Sequence, residues 1–304
     1  MSLEILFKPS KVIKSNLMLF FLCIFSVSVA ILLSLRIFRE HSSILIILFT
    51  IIPLIPLLIK IIEREEKLFE KEKKLMKHSI VRVYLLMFLF LAISFSLWYL
   101  VLPQDLSQDL FKTQISSLGE ELNIPCYDLY TEVEYEKCYL ADFTGEGKYN
   151  YVIYLEGNKP DLIKIDNEYY NYNTWIYFHF LQNNLIILLF VFLTSLIFGA
   201  GAIFTITWNA SIVGIYLAKS VEGGFFYGIY SFFRALILLI PHGLFEISAF
   251  ILAALSGGIL SVAMVRKIVN KDYAHLNKIM KDSAILMIIA VILIVVAALI
   301  EVII

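Results

Sequence analysis

Six apolar runs, at roughly 16–35, 43–62, 83–102, 183–207, 244–265 and 283–304, constrain this chain more than any other feature. A helix needs about 20 such residues to cross the hydrocarbon core of a bilayer. Backbone in lipid must satisfy its own N–H and C=O groups, and for runs of this length that means helix. With 60% of its 304 residues hydrophobic and 17% charged, and a mean hydropathy of +0.82, the chain has more apolar surface than a water-soluble fold can bury. A net charge of −1 gives no sign of a nucleic-acid partner. Three cysteines are too few for a disulfide-built secreted fold.

Orientation follows from where lysine and arginine collect beside the spans, because cytoplasmic loops are enriched in them. Residues 1–14 hold three basic residues, 60–82 hold eight and 266–281 hold five, together sixteen of the chain's twenty-five. These segments, and the N-terminus with them, are predicted to be cytoplasmic. The long loop 103–181, with five basic and fourteen acidic residues, is predicted to be extracytoplasmic. The first run is long enough to span and lacks a small-x-small cleavage site leading into a soluble domain, so it reads as a retained span.

Parity then requires one ascent between residues 208 and 243. In the favoured arrangement 225–240 rises to a tight turn at Pro241-His242-Gly243, leaving 209–222 as a cytoplasmic half-helix and making seven crossings. In the other, 209–222 crosses and 225–240 lies flat or re-entrant. The expected fold is an all-α polytopic membrane protein of six to seven spans, with a broken or re-entrant element near 209–243 and a small α+β extracytoplasmic domain. Its parts are an N-terminal two-span hairpin (1–82), a single span (83–102), the extracytoplasmic domain (103–181) and a C-terminal membrane core (182–304). The alternating charges of 63–78 predict a helical cytoplasmic arm extending the second span.

Within 103–181, Leu106 to Leu122 reads as an amphipathic helix through Leu106, Leu110, Ile115 and Leu118. Tyr149–Leu155 and Asp161–Asp166 read as strands joined by a turn at Gly157-Asn158-Lys159-Pro160. Eleven tyrosines fall between Tyr127 and Tyr177. Cys126 and Cys138 lie in this oxidising-side segment and are predicted to pair, stabilising a small domain by about 3 kcal/mol in the chain-entropy model. Cys23, inside the first span, reads as a small buried hydrophobe. The run from Asp142 partly resembles a calcium loop, with Asp142, Thr144 and Glu146 at alternating ligand positions. Position twelve is Ile153 where a bidentate acid belongs, so a plain glycine turn is the better reading.

Ionisable groups in hydrocarbon are costly and mark function or interhelical pairing. Here the polar residues of the membrane core gather late in the chain: Asn209, Arg234, His242, Glu246 and Glu301, with Pro241 and Gly243 around the histidine. His242 and Glu246 are four apart and share a helix face. The favoured role is structural, with His242 and Glu246 satisfying groups freed at Pro241 and Arg234 neutralising Glu246. A second reading places Asn209, Arg234, His242 and Glu246 along a transport path built from broken helices. A third uses His242, Glu246 and His179 as metal ligands, but the HxxxE spacing is not HExxH and a full ligand set is missing. Small residues, including Gly214, Gly228 and Ser256-Gly257-Gly258, predict close helix approach. The same surfaces suit a homo-oligomer.

Three blocks resemble the stage II sporulation protein M family: Trp208-Asn209-Ala210-Ser211 through Gly214, Ile240-Pro241-His242-Gly243-Leu244-Phe245-Glu246 through Ala249, and the closing Ala297-Ala298-Leu299-Ile300-Glu301. Order and spacing agree over 183–304, and the likeness extends back to 83. Residues 1–82 lie outside the pattern, and the tyrosine-rich loop has no counterpart in it. The resemblance implies an integral membrane protein without known catalytic activity or cofactor. The named member works in spore-forming bacteria with partner envelope proteins, including a peptidoglycan hydrolase, during engulfment. The wider family also occurs in bacteria and archaea that never sporulate, so the process is not carried over. The expectation is therefore a non-enzymatic protein of the cell membrane that anchors or assembles partners, in contact with lipid, other membrane or envelope proteins and further copies of itself.

Overall fold

The computed structural model describes residues 15–37, 41–60, 78–122, 135–139, 151–156, 159–165, 168–198, 202–221, 225–270 and 276–303. In chain order the helices are α1 (Asn16–Ile37), α2 (Ser42–Ile51), α3 (His78–Val101), α4 (Gln104–Leu110), α5 (Lys112–Leu122), α6 (Tyr172–Phe198), α7 (Ala202–Ser220), α8 (Phe225–Asn270) and α9 (Leu276–Ile303). Among the described residues, six helices are long and apolar enough to cross a membrane: Asn16–Ile37, Ser42–Lys60, Val81–Val101, Asn173–Ile197, Gly228–Val265 and Asn277–Ile303. The protein is thus a multi-pass helical membrane protein.

Among the described residues, four strands lie between α5 and α6: β1 (Tyr135–Tyr139), β2 (Tyr151–Glu156), β3 (Lys159–Ile165) and β4 (Glu168–Asn171). They form one antiparallel meander in the order β1-β2-β3-β4. Glu156 pairs with Lys159, so only two residues connect β2 to β3. The register shifts between Tyr154 and Leu155, where Leu155 faces Pro160; proline cannot donate to the ladder and is tolerated at such an irregularity. The last strand runs directly into α6.

Two groups of helices make up the rest. In the first, α3 packs between α1 and α7, and α2 packs against the same two helices. Trp98 Nε1 donates to Ser28 Oγ at 2.9 Å, and Leu22, Val27, Ile31, Met87, Leu91 and Phe95 fill the space between the helices. The turn after α2 follows from Pro53 and Pro56: Leu54 N–H reaches back to the Ile51 carbonyl at 2.9 Å, a tighter bond than the α-helical one. The expected amphipathic helix over Leu106–Leu122 is two helices, α4 and α5, meeting at Phe111. Together they cap the start of α2. Ser43 Oγ donates to the Leu110 carbonyl at 2.9 Å, and Gln114 Nε2 donates to the Ser43 carbonyl at 3.0 Å.

In the second group, α6, α8 and α9 pack side by side. Asn184 of α6 meets Glu246 of α8, and further along Gly257 of α8 lies against Phe192, Ser195 and Leu196 of α6. Both contacts keep one constant offset, so α6 and α8 run parallel. Ser256 and Ser283 share a hydrogen bond of 2.7 Å between their hydroxyls, and α9 runs back antiparallel along α8. Because α6 and α8 are parallel and joined through α7, α7 must return the chain between them.

Three expectations are overturned. The run 183–207 is not one span, since α6 ends at Phe198 and α7 begins at Ala202. The sequence between Phe198 and Ala202 carries no charged or polar side chain, so hydropathy gives no sign of two helices. The predicted tight turn at Pro241-His242-Gly243 does not exist either. Pro241 lies inside α8, a single helix of 46 residues, and the returning segment is α7, not 225–240. A proline removes one helical hydrogen bond, but in lipid a full turn would leave several more backbone groups without partners, so the helix continues through it. The charged arm at 63–78 lies outside the described residues except for His78.

Glycine discriminates between close packing and mere permissiveness here. A Cβ on Gly214 would stand 2.4 Å from the Ala92 carbonyl oxygen of α3, and one on Gly257 would stand 2.4 Å from the Phe192 carbonyl oxygen of α6. At Gly243 the nearest atom would be 3.8 Å away. Alanine at 214 or 257 is therefore expected to lower stability by about 1–3 kcal/mol through forced backbone shifts. Gly243→Ala should be neutral or stabilising by up to about 1 kcal/mol. Thermal unfolding of the three variants in one detergent checks this; equal losses at all three positions would contradict the packing described.

Candidate functional site

The core of the site is a hydrogen bond between α6 and α8. Asn184 Nδ2 donates to Glu246 Oε1 at 2.6 Å. Asn184 is 7% exposed and Glu246 half-buried. A carboxylate inside hydrocarbon requires a polar partner, and the asparagine amide supplies one from a second helix. Sequence reasoning missed Asn184. The signal was available in the Gln182-Asn183-Asn184 run at the head of the span, which reads as an interfacial edge until α6 is seen to begin ten residues earlier, at Tyr172.

His242 is half-buried one turn before Glu246. Its Nδ1 is shielded from solvent without a well-formed hydrogen bond, lying near the Leu238 carbonyl of the preceding turn. Gly243 is buried and Pro241 half-buried on the same stretch. Glu301, near the end of α9, is half-buried with its Oε2 shielded from solvent. The antiparallel contact at Ser256 and Ser283 sets the α8–α9 register and carries Glu301 to about the level of Leu238, one turn from His242. Asn184, His242, Glu246 and Glu301 thus occupy neighbouring layers of the α6–α8–α9 group.

Two predicted members stand apart. Arg234 is exposed and lies within electrostatic reach of Tyr216 on α7. On one continuous helix it is twelve residues from Glu246, roughly 18 Å along the axis, so it does not neutralise that carboxylate. The expected pairing depended on the absent turn. Asn209 is half-buried and donates from Nδ2 to the Thr205 carbonyl of its own helix at 2.9 Å, so its amide is used within α7.

His179, the third ligand of the metal reading, stacks on Trp175 with ring centroids 5.0 Å apart. Among the described residues no three His, Cys, Asp or Glu side chains converge to hold a metal ion. Asp142, Thr144 and Glu146 of the calcium-like loop lie outside the described residues, as does Cys126 of the predicted disulfide; Cys138 is on β1.

A helical, multi-pass membrane fold whose polar interior joins helices defines the class of protein. Within that class the match is specific: the profile of the stage II sporulation protein M family matches residues 83–304, and the chain belongs to this family. Comparison with curated proteins and with solved structures gives no match. The matched region begins inside α3, takes in every residue of the site, and leaves α1 and α2 outside.

If the interhelical bond holds α6 against α8, Asn184→Ala should lower stability by about 1–3 kcal/mol, because the half-buried carboxylate loses a donor from α6. Glu246→Gln retains an acceptor oxygen at the same place and should cost less than about 1 kcal/mol. A double-mutant cycle on Asn184→Ala and Glu246→Ala, read by unfolding in bicelles, measures the coupling. Strict additivity would show that the two side chains do not act together.

Proposed function

We propose that this chain is a non-enzymatic integral membrane protein that anchors or assembles partner proteins at the cell envelope. The observation carrying this reading is the use of the polar core: Asn184 and Glu246 join α6 to α8, and Ser256 and Ser283 join α8 to α9. The sheet, attached directly to the head of α6, supplies folded polypeptide beyond the spans. Family membership supports the same reading, since the resemblance implies work through partners.

In this reading the basic segments 1–14, 60–82 and 266–281 face the cytoplasm. The chain crosses seven times, with α7 making the ascent between α6 and α8. The C-terminus is then extracytoplasmic, and β1–β4 with α4 and α5 form a small extracytoplasmic domain presenting the tyrosine-rich partner surface. A Cys126–Cys138 disulfide would brace it, and the charged 63–78 arm offers a second docking element inside.

Photo-crosslinking from native membranes tests the proposal, with a benzophenone residue placed at Tyr154 or Tyr169 of the sheet and, as a control, at Ile288 of α9. Discrete protein adducts are expected from the sheet positions, and lipid adducts alone from Ile288. Lipid and self adducts at all three sites would defeat the assembly role. Solute- or ion-specific flux through the purified, reconstituted chain would instead favour the transport reading.

A further inference from the structure

The surroundings of Glu246 differ on its two sides. Toward the sheet end of the helices, successive layers hold His242, Glu301 at about the level of Leu238, and exposed Arg234. Toward the other end, α8 continues through Ala249, Phe250, Ile251, Ala253, Ala254 and Leu255, each no more than 4% exposed. That segment ends where Gly257 closes onto the Phe192 carbonyl and where the Ser256 and Ser283 hydroxyls engage each other. Glu246 therefore has His242 one turn away and, by register, Glu301 about two turns away on one side, and a close-packed apolar plug of more than two turns on the other.

We propose that Glu246 is a proton-binding site that exchanges with the aqueous phase at the sheet end alone, through Glu301 and His242. His242 suits the relay because imidazole accepts a proton at one nitrogen while releasing one from the other, and its Nδ1 is shielded from solvent without a well-formed bond. The proton taken up comes from water at the sheet end and resides on the Glu246 carboxyl. Asn184 remains the donor to Oε1 and holds the carboxyl in place. The plug keeps the other aqueous phase out, so the site reports the pH of one compartment and carries no current between two.

Polar and titratable groups lie on every helix packed on α8. On α8 itself these are His242, one turn from Glu246, and the more distant Arg234. From α6 there are Asn184 and, nearer the sheet end, His179 stacked on Trp175. From α9 there are Glu301 and, beyond the plug, Asp282. From α7 there are Asn209, Tyr216 and Lys219, and from α3 Tyr84 and Tyr99. This proposal goes beyond the assembly role and fails separately from it, since it is read on the protein without partners.

The full chain, reconstituted in liposomes of known orientation, is treated with dicyclohexylcarbodiimide, which modifies protonated carboxyls in apolar surroundings. Modification of Glu246 is counted by peptide mass spectrometry while the pH of one side is varied at a time. Labelling is expected to fall about tenfold as the sheet-side pH is raised by one unit through the titration range of the carboxyl, and to ignore the pH of the other side. His242→Gln and Glu301→Gln, first checked for a monodisperse profile, should each slow the response to sheet-side pH. Labelling that follows the other side or both sides overturns the proposal, as does an unlabelled Glu246. The wild-type sidedness decides the matter even where a variant fails to fold.

Discussion

A polar group surrounded by hydrocarbon finds its partner in the protein or goes without, and the α6–α8–α9 group is arranged around that constraint. Glu246 could not sit on α8 unless a neighbouring helix brought a donor to it. Asn184 does so at 2.6 Å, and in doing so fixes how far α6 is displaced along α8. The contact at Gly257 repeats the same displacement, so a polar clamp and a steric fit specify one register. Association of apolar helices in lipid has no hydrophobic driving force of its own. A polar contact that tolerates only one register is then worth more for specificity than for its modest energy.

Helix α8 shows how the two halves of one element take on different work. Its later half, from Ala249 to Ser261, is buried on nearly all sides by small residues that let α6 and α9 approach. The half before Pro241 turns large side chains outward, Tyr230 and Ile237 being 64% and 70% exposed. At 46 residues the helix is roughly 70 Å long, more than twice the thickness of the hydrocarbon core. It must therefore extend beyond the bilayer, tilt, bend, or combine these. Pro241 sits between the two halves, where a bend would change the outer part without disturbing the packed part.

The sequence revealed more of the spans than of the connections. Apolar length marked the helices, because lipid imposes a single criterion on every residue of a span. It could not separate α6 from α7, because the sequence between Phe198 and Ala202 carries no charged or polar side chain. Nor could it show that α8 continues through Pro241, because helical continuity depends on what surrounds the proline and not on the proline alone. That error propagated into the site. A turn at 241–243 would have brought Arg234 back toward Glu246, whereas a continuous helix holds them apart. Glu246, His242 and Glu301 stood out as charges in apolar runs. Asn184 did not, because an asparagine near the apparent edge of a span is ordinary until its partner is located.

The boundary of the family match does not coincide with a boundary in the fold. The match starts at residue 83, inside α3, yet α3 is packed on both sides: by α7, which belongs to the matched region, and by α1, which does not. Tyr84, Met87, Leu91 and Phe95 are buried here, Cys23 of α1 lies against the Met87 carbonyl, and Trp98 bonds to Ser28. Helix α2 in turn touches α7 and is tied to α4 and α5 by the bonds from Ser43 to the Leu110 carbonyl and from Gln114 to the Ser43 carbonyl. Removing α1 and α2 would expose Trp98 Nε1 and the polar cap to lipid or water, besides an apolar face that lipid alone could cover. The N-terminal hairpin is thus part of the same packed body as the family region. A family chain made only of the matched segment must either lack these polar contacts or meet them with another helix, and Trp98 and Gln114 are the positions at which that difference is legible.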